Sequence, residues 1–182
     1  MILKMVYIIA AGTVIKINMK TLILIRHATA NNKQTSQTDN ERNLSGTGQL
    51  EAENIAQQLQ QRNCLPDYLL CSPAKRTLQT ATILCQTFKL NSSLIKIDNT
   101  IYSGDLNNIL SRLHCLTMAK QVFVVGHNPN LSWLAHYLCG ISKTIILPPA
   151  GVIGLEFSIK NWDELSTSGK LLFFIKPKHE SG

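Results

Sequence analysis

The sequence predicts an α/β fold: a single-domain, three-layer sandwich with a mostly parallel central sheet flanked by helices. Three observations predict it. Apolar runs of strand length alternate along the chain with amphipathic stretches of helical period. Two of those runs, residues 21–25 (TLILI) and 121–125 (QVFVV), hold at most one polar residue each, the pattern of a strand covered on both faces. The chain has 182 residues, 45% of them hydrophobic and 16% charged, which suits one core of ordinary size.

The first eighteen residues stand apart. Lys4 followed by the apolar residues 5–15 has the outline of a secretory signal, but no small-residue cleavage site follows at a sensible distance. The stretch reads as an extension ahead of the domain. It is either an extra hairpin turning at Ala11-Gly12-Thr13 or, the favoured reading, sequence upstream of a start at Met19, because the first core strand follows Met19 at once. The domain then covers residues 19–176, and residues 177–182 form a basic tail carrying His179.

Within the domain the elements follow from local chemistry. Residues 21–25 are a strand and 29–43 a polar loop. Residues 46–62 carry Leu50, Ile55, Ala56 and Leu59 among good helix formers and read as an amphipathic helix. Residues 68–71 are a strand, with Ser72 as N-cap and Pro73 at the first position of a helix reaching about residue 88. A short strand at 94–97 precedes a helix at 105–116 with Leu106, Ile109, Leu110 and Leu113 on one face. The strand at 121–125 is followed by Asn128-Pro129, a second cap-plus-proline signal, and a helix to about residue 138 in which Trp133 and Tyr137 read as core. Strands at 152–159 and 171–175 close the chain around Thr167-Ser168-Gly169.

Composition removes several classes of function. The 18 Lys and Arg against 11 Asp and Glu give a net charge of +7, which concentrates anions. The basic residues are scattered, so no specific nucleic-acid surface is expected. No apolar run approaches the roughly 20 residues of a membrane-spanning helix. Five cysteines without a Cys-x-x-Cys pair indicate neither a disulfide framework nor a zinc knuckle, and read as reduced thiols of a cytoplasmic protein. No ligand cluster for a metal is seen, and no cofactor is expected.

Both central strands end alike, in Arg26-His27 and in Gly126-His127. In an open parallel sheet the carboxyl ends of the strands share one edge, where ligands bind. The Ser72-Pro73-x-x-Arg76 segment follows a third strand and puts Arg76 in the first turn of a helix, whose N-terminus favours anions. Each piece alone is a common accident of sequence. Three in order, each at a strand's carboxyl end, point to a site for a phosphoryl group. Cys71 with Arg76 is one residue short of the Cys-x5-Arg loop of cysteine phosphatases and reads as a buried strand residue; His114 and His136 read as structural or surface residues.

These segments carry a family resemblance. Leu24-Ile25-Arg26-His27-Ala28 resembles the Arg-His-Gly/Ala signature of the histidine phosphatase (phosphoglycerate mutase-like) superfamily. Glu41-Arg42-Asn43-Leu44-Ser45-x-x-Gly48 is similar to the Asp-Arg-Pro-Leu-Thr-x-x-Gly segment of its small phosphohistidine phosphatase branch. Ser72-Pro73-Ala74-Lys75-Arg76-Thr77-x-Gln79-Thr80-Ala81 and Val124-Val125-Gly126-His127-Asn128-Pro129 resemble its second arginine and second histidine segments. The resemblance implies that His27 is the nucleophile, forming a phosphohistidine intermediate that water hydrolyses. It implies that Arg26, Arg76 and His127 contact the phosphoryl oxygens, with Asn128 beside them in substrate binding.

Two departures bear on the substrate. The asparagine that larger mutase-type members carry six residues past the nucleophile is Lys33 here. The region that holds their glutamate acid contains only Asp98 and Asp105 here, and Asp105 is the candidate proton donor. A missing strong acid fits a leaving group that departs easily, as the nitrogen of phosphohistidine does. With no long insertion to build a lid, the expected substrate is phosphohistidine on a signalling or phosphotransfer protein. The alternatives are a small phosphorylated metabolite, as for a phosphomonoesterase of the same superfamily, or a non-catalytic module that binds phosphoryl groups.

Overall fold

The two apolar runs that end in histidine lie side by side at the centre of one sheet. In the computed structural model, residues 6–10, 13–17, 19–35, 38–140 and 145–177 are described. Their strands and α-helices are β1 (Val6–Ala10), β2 (Thr13–Ile17), β3 (Lys20–Arg26), α1 (Gly46–Gln61), β4 (Tyr68–Cys71), α2 (Lys75–Phe88), β5 (Ile95–Ile97), α3 (Thr100–Ser103), α4 (Leu106–His114), β6 (Gln121–Gly126), α5 (Asn130–Cys139), β7 (Val152–Phe157) and β8 (Lys170–Ile175). Six of the strands form a sheet in the order β5-β4-β6-β3-β7-β8. The first four run parallel, and β7 and β8 are antiparallel additions on the far side of β3.

The order explains where a site can form. After β3 the chain passes through α1 to β4, leaving one position open, and β6 later fills it. The carboxyl ends of β4, β6 and β3 therefore sit next to one another, with Arg26 opposite Gly126 and Cys71 opposite Val125. That edge is where crevices open in parallel sheets.

Alternation along the central strands divides the core into two layers. Leu22, Leu24, Leu70, Val122 and Val124 pack with the inward residues of α4 and α5, while Ile23, Ile25, Leu69, Phe123 and Val125 pack with those of α1 and α2. All four residues from Leu22 to Ile25 are fully buried, which is why this strand has no polar face.

Several local readings need correction. Ser72 does not cap α2, which begins at Lys75 with Ala74 in the cap position. α5 begins at Asn130, with Pro129 rather than Asn128 in the cap position. In both cases the polar side chain is used in the candidate site instead. Trp133 is 57% exposed and Tyr137 also faces outward, because the buried stripe of α5 is Leu131, Leu134, Ala135 and Leu138. Leu50 of α1 is exposed for the same reason, the inward face being Ala52, Ile55, Ala56 and Leu59. Residues 6–10 and 13–17 pair as an antiparallel hairpin in a sheet of their own, Val6 opposite Ile17. The expected turn at Ala11-Gly12 and the basic tail from residue 178 lie outside the described residues. No described helix is long and apolar enough to cross a membrane.

Candidate active site

β3 delivers Arg26 and His27 to the sheet edge, and the backbone there is held from three sides. The His27 N–H donates to the Gly126 carbonyl at the end of β6, and the His27 carbonyl accepts from Ala150 N–H. Ala28 N–H donates to Thr80 Oγ1 on α2 at 3.2 Å. The next residue, Thr29, donates from both its N–H and its hydroxyl to the buried Glu51 carboxylate, at 2.9 and 3.0 Å. Gly48 makes that approach possible: a Cβ on it would lie 1.9 Å from the Thr29 carbonyl oxygen. The glycine of the Leu44-Ser45-x-x-Gly48 segment thus brings the N-terminus of α1 against the loop that carries His27.

His27 Nδ1 lies 2.7 Å from the Ala28 carbonyl oxygen. A carbonyl only accepts, so Nδ1 carries the proton and Nε2 keeps its lone pair. That lone pair accepts from Arg76 Nε at 3.2 Å. Arg76 Nη2 reaches His127 Nδ1 at 3.3 Å, and because arginine only donates, the proton of neutral His127 is on Nε2 and goes to Ser72 Oγ at 2.7 Å. The two imidazole rings meet edge to face with centroids 5.1 Å apart, and Tyr102 closes on His127 from another side at 5.3 Å.

Arg26 is fixed differently. Its Nη1 donates to the Leu147 carbonyl at 2.9 Å, while its Nε is buried without a hydrogen-bond partner among the described residues. Asn128 Nδ2 donates to the same carbonyl at 2.7 Å, and its Oδ1 accepts from Ser132, whose hydroxyl accepts from Leu147 N–H. A buried, unpartnered guanidinium N–H is costly unless something fills the site, since buried donors are almost always paired.

Arg26, His27, Arg76 and His127 are therefore brought together, with Asn128 joined to them through the Leu147 carbonyl. Asp105 is not. Its carboxylate caps α4 by accepting from Asn108 N–H at 2.8 Å, and among the described residues no bond links it to the four. Asp98 accepts from Thr100 N–H and pairs with Arg112 at 2.6 Å. Cys71 is fully buried, and burial pushes its thiol up to about 12, which leaves it inert. His114 bonds the Leu165 carbonyl, and His179 lies outside the described residues.

Sequence reasoning missed the carboxylate that does reach the cluster. Asp39 accepts from Arg76 Nη2 at 2.7 Å, and its carbonyl accepts from Arg76 Nη1 at 2.5 Å. It also pairs with Arg42 at 3.0 Å. The available signal was the Asp39-x-x-Arg42 spacing inside a stretch read as plain loop. The Ser72 and Ser132 hydroxyls were missed because serine at a helix start is ordinarily a cap.

The electrostatics keep both histidines neutral. Burial lowers His27 from the ordinary 6.5 to about 4, with Arg76, Arg26 and Arg42 adding to the effect against the Ala28 bond. Burial lowers His127 to about 3, aided by His27, Arg76 and Arg26 and opposed by Asp39. A nucleophilic imidazole must be unprotonated, so kcat/KM should stay level from pH 7 to about 5 and fall as pH drops through about 4. A pH–rate profile on the free-enzyme parameter checks this; an acid limb centred near 6.5 would contradict it. The folded chain also takes up these protons later than the unfolded chain, so stability falls as pH drops from 6.5 towards 4.

Residues 22–101 match the model of the histidine phosphatase superfamily, branch 1, a stretch that holds Arg26, His27 and Arg76, while His127 lies beyond it. Over that stretch the chain is similar to the histidine phosphatase superfamily. Its α/β fold is that of the solved phosphatases it superposes on. SixA from Agrobacterium tumefaciens, itself assigned as a phosphohistidine phosphatase, is 25% identical and superposes with a TM-score of 0.72 over 87% of this chain and 99% of that one. The protein histidine phosphatase SixA complexed with tungstate gives 0.74 at 21% identity, over 86% and 97%. An uncharacterised chloroplastic protein of Arabidopsis thaliana is 28% identical over 155 residues, 80% of this chain and 70% of that protein. The fold is shared more distantly with a mycobacterial glucosyl-3-phosphoglycerate phosphatase, TM-score 0.58 at 14% identity, over 85% and 97%.

Proposed function

We propose that this chain hydrolyses phosphohistidine borne on a protein, through a covalent intermediate on His27. The observation that carries the substrate class is the state of the nearby carboxylates. Among the described residues, the one carboxylate bonded to the cluster is Asp39. Burial opposes its ionisation, but the bonds from Arg42 and Arg76 outweigh that and hold its carboxyl below the usual range. An ionised carboxylate clamped by two arginines cannot protonate a leaving oxygen. Asp98 is taken up by the Thr100 N–H and Arg112, and Asp105 caps α4. A phosphoramidate needs no such acid, because its leaving nitrogen takes a proton readily from solvent.

The steps balance without a cofactor. His27 Nε2 gives its lone pair to phosphorus in line with the leaving imidazole nitrogen; one N–P bond forms as the other breaks, and the departing imidazole is protonated by water. Arg76 must first turn its Nε–H from the nucleophile onto a phosphoryl oxygen, which converts a bond to the nucleophile into one to the transition state. The unpartnered Nε–H of Arg26 is available for a second oxygen. An arriving phosphoryl dianion raises the proton affinity of His127, so its Nδ1 becomes a third donor. Water then attacks phosphorus, releasing inorganic phosphate and restoring the Nε2 lone pair.

A second reading, turnover of a small phosphomonoester, has the support of the fold shared with glucosyl-3-phosphoglycerate phosphatase. The comparison that separates the two is kcat/KM on a phosphohistidine-bearing protein against a panel of small phosphomonoesters. The proposal expects a preference of about a hundredfold or more for the phosphoprotein, the factor a missing general acid costs an ester. A metabolite turned over faster than phosphohistidine would replace it with the second reading.

A further inference from the structure

The cluster carries more positive charge than a phosphoryl dianion needs. Arg26, Arg76 and Arg42 supply three cations, and both histidines are neutral, so the balance rests on Asp39. With Asp39 ionised the cluster's own groups sum to +2. Without it the sum is +3. Arg76 Nη2 bonds the Asp39 carboxylate at 2.7 Å and also points at His127, so the carboxylate draws on donors that would otherwise face the phosphoryl group.

We propose that Asp39 is a product-release residue of this site, a carboxylate that competes with bound phosphate for the Arg76 fork and so weakens retention of the inorganic phosphate product. The proposal rests on the reading of the cluster as a phosphoryl site. The geometry separates it from a merely positioning role. Asp39 lies on a short 3-10 turn, Asp39–Glu41, at the protein surface, with its side chain 42% exposed, whereas Arg76 is only 6% exposed. Arg76 is held from its own side by Ala28, Thr80 and the start of α2: Thr80 Oγ1 donates to the Arg76 carbonyl and accepts from Ala28 N–H. The arginine thus has a fixed backbone without Asp39, while Asp39 is a partly exposed side chain that a stronger anion can displace. An incoming phosphoryl group and the Asp39 carboxylate present the same chemistry, paired oxygens with negative charge, to the same guanidinium.

The test measures binding of inorganic phosphate by calorimetry to the full chain and to Asp39→Asn and Asp39→Glu. Asp39→Asn keeps a polar side chain of the same size and removes the charge, so phosphate should bind about tenfold tighter, and inhibit turnover correspondingly more. Asp39→Glu keeps the charge and should bind phosphate as the wild type does. Melting temperatures of both variants confirm that each is folded. Phosphate binding that is unchanged or weaker in folded Asp39→Asn would overturn the proposal and make Asp39 a positioning partner of Arg76, with the phosphoryl site intact. Absence of phosphate binding in all three proteins would overturn the reading of the site itself, and this proposal with it.

Discussion

His27→Ala should lower kcat by about 10⁴-fold or more, because it removes the atom to which the phosphoryl group is transferred rather than one contact among several. The main chain of residue 27 bonds Gly126 and Ala150, the Ala28 N–H next to it bonds the Thr80 hydroxyl, and none of these uses the His27 side chain, so they survive the substitution. The variant should therefore fold, with a circular dichroism spectrum and melting temperature close to wild type. Steady-state kinetics on whichever substrate the wild type prefers checks the loss. Residual turnover within tenfold of wild type would mean that another group carries the phosphoryl.

Arg76→Ala is the second large effect. Arg76 bonds both imidazoles and, through Asp39, the loop over them. Loss of one fixed donor to a developing charge costs about 2 kcal/mol or more in kcat/KM, roughly a thirtyfold fall. A further consequence separates this arginine from a generic cation. Arg76 is among the charges that hold both histidines down, so the acid limb of the pH–rate profile should move upward in the variant. Arg76→Lys restores the charge but not the fork, and should recover the pH profile better than it recovers kcat. Wild-type kinetics in Arg76→Ala would remove it from the site.

The parts of the fold that were legible in the sequence were those fixed by uninterrupted local signals. The runs at residues 21–25 and 121–125 could be read as central strands because both faces are covered and, after Thr21 and Gln121 at their starts, every residue is apolar and buried. Their carboxyl-terminal Arg26-His27 and Gly126-His127 then located one edge, and Arg76 followed from its place after a third strand. What could not be read was set by tertiary partners. Ser72 and Asn128 have the chemistry of helix caps, and nothing local says that one hydroxyl turns to His127 and the other amide to Leu147. Trp133 and Tyr137 sit at helical spacing, but the direction of α5 against the sheet decides which stripe is buried, and that stripe is leucine and alanine. Asp39 lay in a polar loop whose path over Arg76 is a long-range fact, 37 residues away in sequence. Asp105, the candidate acid between Arg76 and His127, caps α4, and the carboxylate that reaches the cluster, Asp39, is ionised by its partners.

The direct test of the account is to quench the wild-type enzyme in alkali during turnover of a phosphohistidine-bearing protein and to locate phosphate on its peptides by mass spectrometry. The account predicts a phosphoryl group on the peptide holding His27, formed and discharged at rates consistent with kcat, and absent from His27→Ala under the same conditions. Steady turnover with no phosphoryl on that peptide, or with the group on another residue, would contradict it.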